Sequence, residues 1–254
     1  LGLSPISNAF IKLADAAKGE MFYPLKACVC EMCWLVQLES SPDSSAHFHD
    51  DYVYFSSFSS GWVEHARQYV EEMTERFELS ASSRVVELAS NDGYLLQFFI
   101  KAGIAALGIE PTANTAAAAR AKGVETREAF FGRDTARTLA SEGLQADLIL
   151  GNNVLAHVPD INAVVGGMPL LLNPQGVVTL EFPHLLNLLA ENQFDTIYHE
   201  HYSYLSLTAL VPIFARFALR VFDVETLPTH GGSLRVFLCH SSAEHAESPA
   251  VAAM

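Results

Sequence analysis

Seven consecutive residues, Tyr198-His199-Glu200-His201-Tyr202-Ser203-Tyr204, bring two imidazoles, a carboxylate and three phenols together. Imidazole is the side chain whose ordinary pKa lies near neutrality, and a neighbouring carboxylate can orient or tune it. Phenol hydroxyls beside such a base can donate to an oxyanion that forms as a proton leaves. His-x-His alone could suggest a metal, but no further ligand pattern such as H-E-x-x-H is present. A polar loop with hydrogen-bonded core histidines is the bland alternative. With no phosphate signature and no serine nucleophile elbow, the chemistry expected is removal of a proton next to a carbonyl.

The other stretch built for chemistry is Arg84-Val85-Val86-Glu87-Leu88-Ala89-Ser90-Asn91-Asp92-Gly93-Tyr94. An apolar β-branched run reaches an acid, passes through small residues and opens an amphipathic segment, Gly93 to Ala102, which predicts strand, tight turn and helix. Such a turn lies outside the carboxyl ends of a doubly wound sheet, where ligands bind. A pyrophosphate turn would read G-x-G-x-x-G, whereas the spaced positions here are Ala89, Asn91 and Gly93, with no basic residue nearby. An amino-acid-bearing nucleoside such as S-adenosylmethionine fits better: its ammonium can meet Glu87 and its carboxylate can meet turn N–H groups, with Tyr94 directly after. Glu110 follows Glu87 by 23 positions, about one βα unit, and is expected at the ribose hydroxyls. Phe130 and Phe131 could sandwich an adenine. Asn152 and Asn153 end a further strand and are assigned to the donor, with His157 beyond them.

Asp51 to Ser60 is dense in rings and hydroxyls, which suits a sugar, and Tyr52, Tyr54, Ser56 and Ser57 are its candidate contacts. His184, after a fifth strand, and His230-Gly231, between the last two strands, complete the candidate substrate set. Cys30 and Cys33 have the spacing of one zinc-ribbon knuckle, but a ribbon needs a second ligand pair, and His47 and His49 are the only nearby candidates. Reduced thiols beside a core-facing Trp34-Leu35-Val36 are the preferred reading.

The elements that must position these groups follow from periodicity. Trp62, Ala66, Tyr69, Val70, Met73 and Phe77 share one side of a helix spanning 62–77. Strands are expected at 84–88, 105–110, 124–129, 146–151 and 176–181, with helices at 114–122, 133–142 and 207–218. The runs 221–227 and 233–239 are joined so closely that they must be antiparallel. Five parallel strands plus a closing antiparallel hairpin is the seven-stranded, Rossmann-like plan of class I methyltransferases (α/β), here behind a small irregular amino-terminal lobe. The chain of 254 residues is half apolar, with a formal charge of −14 and no basic face for phosphates, which argues against a nucleic-acid partner. No apolar run has transmembrane length, and four cysteines without a secreted framework suggest a reducing, cytoplasmic compartment.

Read together and in order, the motifs resemble the nucleotide-sugar C-methyltransferases that build branched-chain deoxysugars. The resemblance runs from about Leu1 to His240. It rests on Tyr23-Pro24-Leu25 with Cys30-x-x-Cys33, Tyr52-x-Tyr54-Phe55-Ser56-Ser57, Glu87 to Gly93, Asn152-Asn153-Val154-Leu155-Ala156-His157, Tyr198-His199-Glu200-His201 and Leu227-Pro228-Thr229-His230-Gly231-Gly232-Ser233. It implies S-adenosylmethionine-dependent methyl transfer to C-3 of a nucleotide-linked 4-keto-6-deoxy sugar through an enolate. It further implies His201 as general base, with Tyr198, Glu200, His157 and Tyr52 framing the sugar. Family members carry another Cys-x-x-Cys upstream and a further α/β lobe downstream; neither lies in these 254 residues, so a fragment or a truncated relative is expected. Residues 1–60 are read as the lobe, a remnant of a zinc-binding domain with the substrate loop, and 61–254 as the donor-binding domain. Competing readings are an O-methyltransferase acting on a sugar or small acid and a non-catalytic donor-binding remnant. A nicotinamide dehydrogenase is disfavoured by the glycine-poor turn and the hairpin.

Overall fold

The long amphipathic helix α1, Ser60–Arg76, leads into the main sheet; the Ser59 hydroxyl caps it by accepting from the Trp62 N–H, and Ala66, Tyr69, Val70 and Met73 form its buried stripe. The computed structural model describes residues 1–7, 10–40 and 52–254. Strands and helices then alternate: β1 (Arg84–Leu88), α2 (Leu96–Lys101), β2 (Ala105–Ile109), α3 (Ala113–Ala121), β3 (Glu125–Arg127), α4 (Arg133–Ser141) and β4 (Ala146–Asn152). Next come α5 (Ile161–Leu171), β5 (Leu172–Pro183), α6 (Leu185–Ala190), α7 (Leu207–Ala215), β6 (Leu219–Leu227), β7 (Ser233–His240) and α8 (Pro249–Ala253).

The seven strands lie in the order β6-β7-β5-β4-β1-β2-β3. Strands β1 to β5 are mutually parallel, and β7 runs antiparallel between β5 and β6. Chain order reverses between β1 and β4, and a crevice at such a switch point is where an open α/β sheet takes its ligand. Both faces are covered. Val86, Leu107 and Ile149 pack into one core with α4, α5 and α7, while their neighbours Val85, Ala106 and Leu148 pack into the other with α1 and α2. Burial on both faces explains why these strands read as continuous apolar runs rather than alternating ones.

Three helices, α5, α6 and the short α8, lie outside the expected set. Gly166, Gly167 and Pro169 lower the helical propensity of α5, yet Asp160 caps it by accepting from the N–H groups of Asn162 and Ala163. A Cβ at Gly167 would stand 2.9 Å from the Gly132 carbonyl carbon, so the glycine is there to let two backbones meet. Helix α6 is a short Leu-rich turn whose Leu185 and Leu188 are buried with Leu25, Leu38 and Tyr204. The helix expected from Gly93 begins only at Leu96, because Gly93 is left-handed (φ 72°) and closes the turn.

The amino-terminal lobe is more ordered than expected. Leu3–Ser4 pairs with Tyr23–Pro24, and Ala27–Val29 forms a hairpin with Val36–Leu38. Ser203–Tyr204, from the histidine cluster, adds to the free edge of that hairpin. The division at residue 60 is therefore bridged by a shared sheet.

Candidate active site

A cavity of about 860 Å³ opens at the carboxyl ends of the central strands. One half is the β1 turn. Ala89 and Asn91 both sit at left-handed φ (52° and 49°), a conformation that costs non-glycine residues about 1–3 kcal/mol and clusters at ligand sites. Glu110 follows β2 and is buried; it accepts from the N–H of Asn91 at 2.8 Å and of Thr112 at 2.9 Å. Ala89, Tyr94, Glu110, Phe130, Asn152 and Asn153 all line this half. Buried atoms of the Asn152 amide (Nδ2 and Oδ1) and of Asn153 (Oδ1) have no hydrogen-bond partner among the described residues, which fits a polar ligand at this wall.

Several expected donor contacts lie elsewhere. Glu87 is fully buried and is not on the cavity wall; burial, then the charges of Glu110 and Asp92, push its carboxyl well above the usual range. The expected contact between Glu87 and the donor ammonium is therefore not one that the cavity wall displays. Gly93 is also off the wall: a Cβ there would meet Val124 at 3.0 Å and Ala119 at 3.2 Å, so it serves packing against α3. Asn91 lines the cavity but spends its amide on the segment above it, accepting from Ser56 N–H at 2.9 Å and donating to the Tyr54 carbonyl at 3.1 Å.

That segment, residues 52–57, is a strap across the donor half. Asn114 holds it by donating to the Tyr52 carbonyl at 2.7 Å, and the Ser57 hydroxyl donates to Asp92. Ser57 consequently faces the turn and not the cavity, whereas Tyr52, Tyr54 and Ser56 do line it. The aromatic loop keeps its place beside the site, with the sugar role of Ser57 replaced by a fastening one. Asp51, the first residue of that loop, lies outside the described residues.

The other half is acidic and imidazole-rich: His157, Tyr198, Glu200, His201, His230 and Gly231 line it. His201 Nδ1 stands 2.8 Å from the Thr196 carbonyl, which can only accept, so Nδ1 carries the proton. The lone pair of the neutral ring is then on Nε2, which takes a hydrogen bond from the Tyr198 hydroxyl at 3.0 Å. Burial lowers the His201 pKa; the Thr196 bond opposes this, and His230 adds to it, leaving the ring below the ordinary histidine value. Burial, then the Glu200 charge, raises the Tyr198 phenol, so it remains a donor. The His157 ring stands edge-on to His201 with centroids 4.6 Å apart. His184 is not part of this half: it is buried at the N-cap of α6, with its backbone N–H donating to the Gly232 carbonyl at 3.0 Å.

The sequence reading missed Trp62, which lines the cavity although its periodicity assigned it to the packed face of α1. It stacks on His65 and Tyr94 and meets His230 edge-on. Beneath it, His65 Nε2 lies 3.0 Å from both oxygens of Glu181, which also pairs with the buried Arg235 at 3.1 Å. Burial alone would raise the Glu181 carboxyl, but the His65 bond and the Arg235 charge hold it below its usual value. An aromatic residue at a helix start carries no mark to separate wall from core.

Cys30 and Cys33 lie at the tip of the amino-terminal hairpin, away from the cavity. The N–H groups of Met32 and Cys33 point to the Cys30 sulfur and lower its pKa, as suits a thiolate ligand. Two thiols are half of a tetrahedral zinc set; among the described residues no group of three or more ligating side chains occurs, and His47 and His49 lie outside those residues.

A family model for a methyltransferase domain matches residues 62–224, and one for a zinc binding domain matches residues 1–48. C-methyltransferase NovU of Streptomyces niveus is 39% identical over 253 residues, 100% of this chain and 60% of that protein. Ubiquinone biosynthesis O-methyltransferase of Rhodopseudomonas palustris is 26% identical over 100 residues, 39% of this chain and 40% of that protein. The chain thus spans about three fifths of the first relative's length and two fifths of the second's. Magnesium protoporphyrin IX methyltransferase from Synechocystis, solved with bound SAH, matches with TM-score 0.54 at 15% identity, over 71% of this chain and 84% of that one. At that identity the likeness is one of fold, and it is the class I methyltransferase fold.

Proposed function

This chain belongs to the methyltransferase domain family, and from that premise we propose that it is an S-adenosylmethionine-dependent C-methyltransferase acting next to the ketone of a nucleotide-linked 4-keto-6-deoxy sugar. The observation that carries the reading is the state of His201: neutral, its tautomer set by Thr196, its Nε2 lone pair on the wall of the cavity that also holds the β1 turn. Among the comparisons, likeness to NovU along the whole chain supports carbon as the methylated atom.

The donor half suits S-adenosylmethionine, with the Ala89 turn, Glu110 for ribose hydroxyls, Phe130 for the adenine, and the Asn152 amide and Asn153 Oδ1 as its holders. When bound there, S-adenosylmethionine supplies an electrophilic methyl group. His201 Nε2 takes the proton from the carbon beside the ketone, and Nδ1 keeps its own proton on the Thr196 carbonyl. The C–H electron pair stays with the substrate and spreads onto the ketone oxygen as an enolate. Tyr198, released from Nε2 as that atom is protonated, donates to the new oxyanion; Glu200 and Tyr52 close the ring's other side. A positioned base contributes about 10²–10⁴-fold.

No lysine or arginine lines the cavity among the described residues, while Glu110, Asp160, Asp195 and Glu200 do. The sugar ring is therefore assigned to the cavity and the phosphates to its mouth. The test supplies methyl-labelled S-adenosylmethionine with a panel of 4-keto nucleotide sugars and follows product mass. Label at the carbon next to the ketone is expected, and label on oxygen alone would replace this reading by an O-methyltransferase.

A further inference from the structure

Tyr198 and His201 are the two ends of one reverse turn, closed by the His201 N–H donating to the Tyr198 carbonyl at 3.0 Å. Of the two residues between them, His199 faces the amino-terminal lobe, while Glu200 lines the cavity and also reaches that lobe. His199 is fully buried, and its Nε2 stands 3.1 Å from the Pro24 carbonyl. That carbonyl can only accept, so Nε2–H donates, and the ring edge rests against Tyr23 with centroids 6.0 Å apart. Glu200 accepts from the Ser7 hydroxyl at 3.0 Å. Directly afterwards the Leu38 N–H donates to the Tyr202 carbonyl at 3.0 Å, and Ser203 and Tyr204 pair with Gln37 and Val36.

We propose that His199 is a positioning residue: by bonding the Pro24 carbonyl it fixes the turn that sets His201 and Tyr198 against the substrate. The inference rests on the reading of His201 as base. Thr196 fixes the His201 ring, but the turn as a whole is tied to the amino-terminal lobe by both of its central residues. Releasing the buried anchor lets the turn roll, and a displacement of about 1 Å at reacting atoms costs on the order of 10²-fold in rate. The bonds given for His199 run to the amino-terminal lobe and not to the β1 turn, so donor affinity should be indifferent to the anchor.

Two substitutions in the full chain test this. His199→Phe keeps a flat ring against Tyr23 and removes the donor; His199→Gln places an amide N–H near the position of Nε2. Expected is a fall in kcat of roughly 10–100-fold in His199→Phe, with KM for the sugar and Kd for S-adenosylmethionine within about twofold, and recovery of most of kcat in His199→Gln. Unchanged kcat in His199→Phe overturns the proposal. So does a His199→Gln as slow as His199→Phe, because the bond would then not be the cause. Loss of donor affinity in step with kcat also overturns it, since the role would be support of the whole fold. His201→Gln, assayed beside them, separates the two readings. Full turnover there removes the base assignment and this inference with it; loss there, with none in His199→Phe, removes the positioning role alone.

Discussion

The two halves of the cavity are held in opposite ways. The donor turn is made by its own neighbourhood in sequence: Ala89 and Asn91 accept left-handed backbone, and Glu110, only 19 residues from Asn91, receives the Asn91 N–H. The acceptor turn is held from far away, by Pro24 across 175 residues and Ser7 across 193. A locally built site tolerates change at a distance and is legible from motif spacing. A remotely built one depends on a lobe whose part in it no spacing announces.

Substitutions can break that contrast. The largest effect is expected in the acceptor half, where Tyr198→Phe removes the hydroxyl that meets Nε2 and, in the proposed chemistry, the oxyanion. Turnover should fall about 10²-fold with donor affinity intact, measured by steady-state kinetics beside calorimetry. A donor Kd weakened as much as kcat would mean the halves are not separate.

Next in size is the strap. Asn114→Ala removes the donor to the Tyr52 carbonyl, so S-adenosylmethionine should bind more weakly, by about fivefold, because one bond worth about 1 kcal/mol is lost from the roof of its site. An unchanged Kd would show that the strap does not roof the donor.

The pH profile sharpens the comparison further. His201 acts as a base only when neutral, and burial holds its pKa below the ordinary 6.5. The rate constant kcat/KM should therefore rise with pH through an apparent pKa under 6.5 and stay level above it. Removing His230, which also lowers His201, should move that limb upward in His230→Gln. A limb that does not move, with activity retained, would contradict the coupling. Stability has the same sign. The folded pKa values of His184, His201 and His230 are depressed, so their contribution is complete above the unfolded value near 6.5 and is lost as pH falls below it.

The smallest effect is expected at the donor turn. Ala89→Gly relieves left-handed strain and adds unfolded-chain entropy, so stability should change by no more than about 1 kcal/mol, read from a denaturant midpoint.

How far the sequence carried the fold follows the same division. Periodicity located all seven strands, because short apolar runs bounded by turn residues alternate with helical patterns along the chain. It passed over α5, whose Gly166, Gly167 and Pro169 speak against a helix that tertiary contact nevertheless demands. Within the site, Ala89, Glu110 and Asn152 were legible as strand-end residues. Glu87 is expected at the ligand yet lies off the cavity wall, since a strand-end acid reads alike whether its carboxyl faces ligand or core, and Trp62 is hidden in a helix face. His199 sits one residue from Tyr198 and two from His201, and nothing in its spacing tells base from anchor.

The most direct measurement is hydrogen exchange at the carbon beside the ketone. The 4-keto sugar is incubated in D2O with the protein and S-adenosylhomocysteine, so that no methyl group is available. The native chain should wash deuterium into that position, and His201→Gln, still binding S-adenosylhomocysteine, should do so at least about 10²-fold more slowly. Equal exchange by both proteins would contradict His201 as the base that opens the reaction.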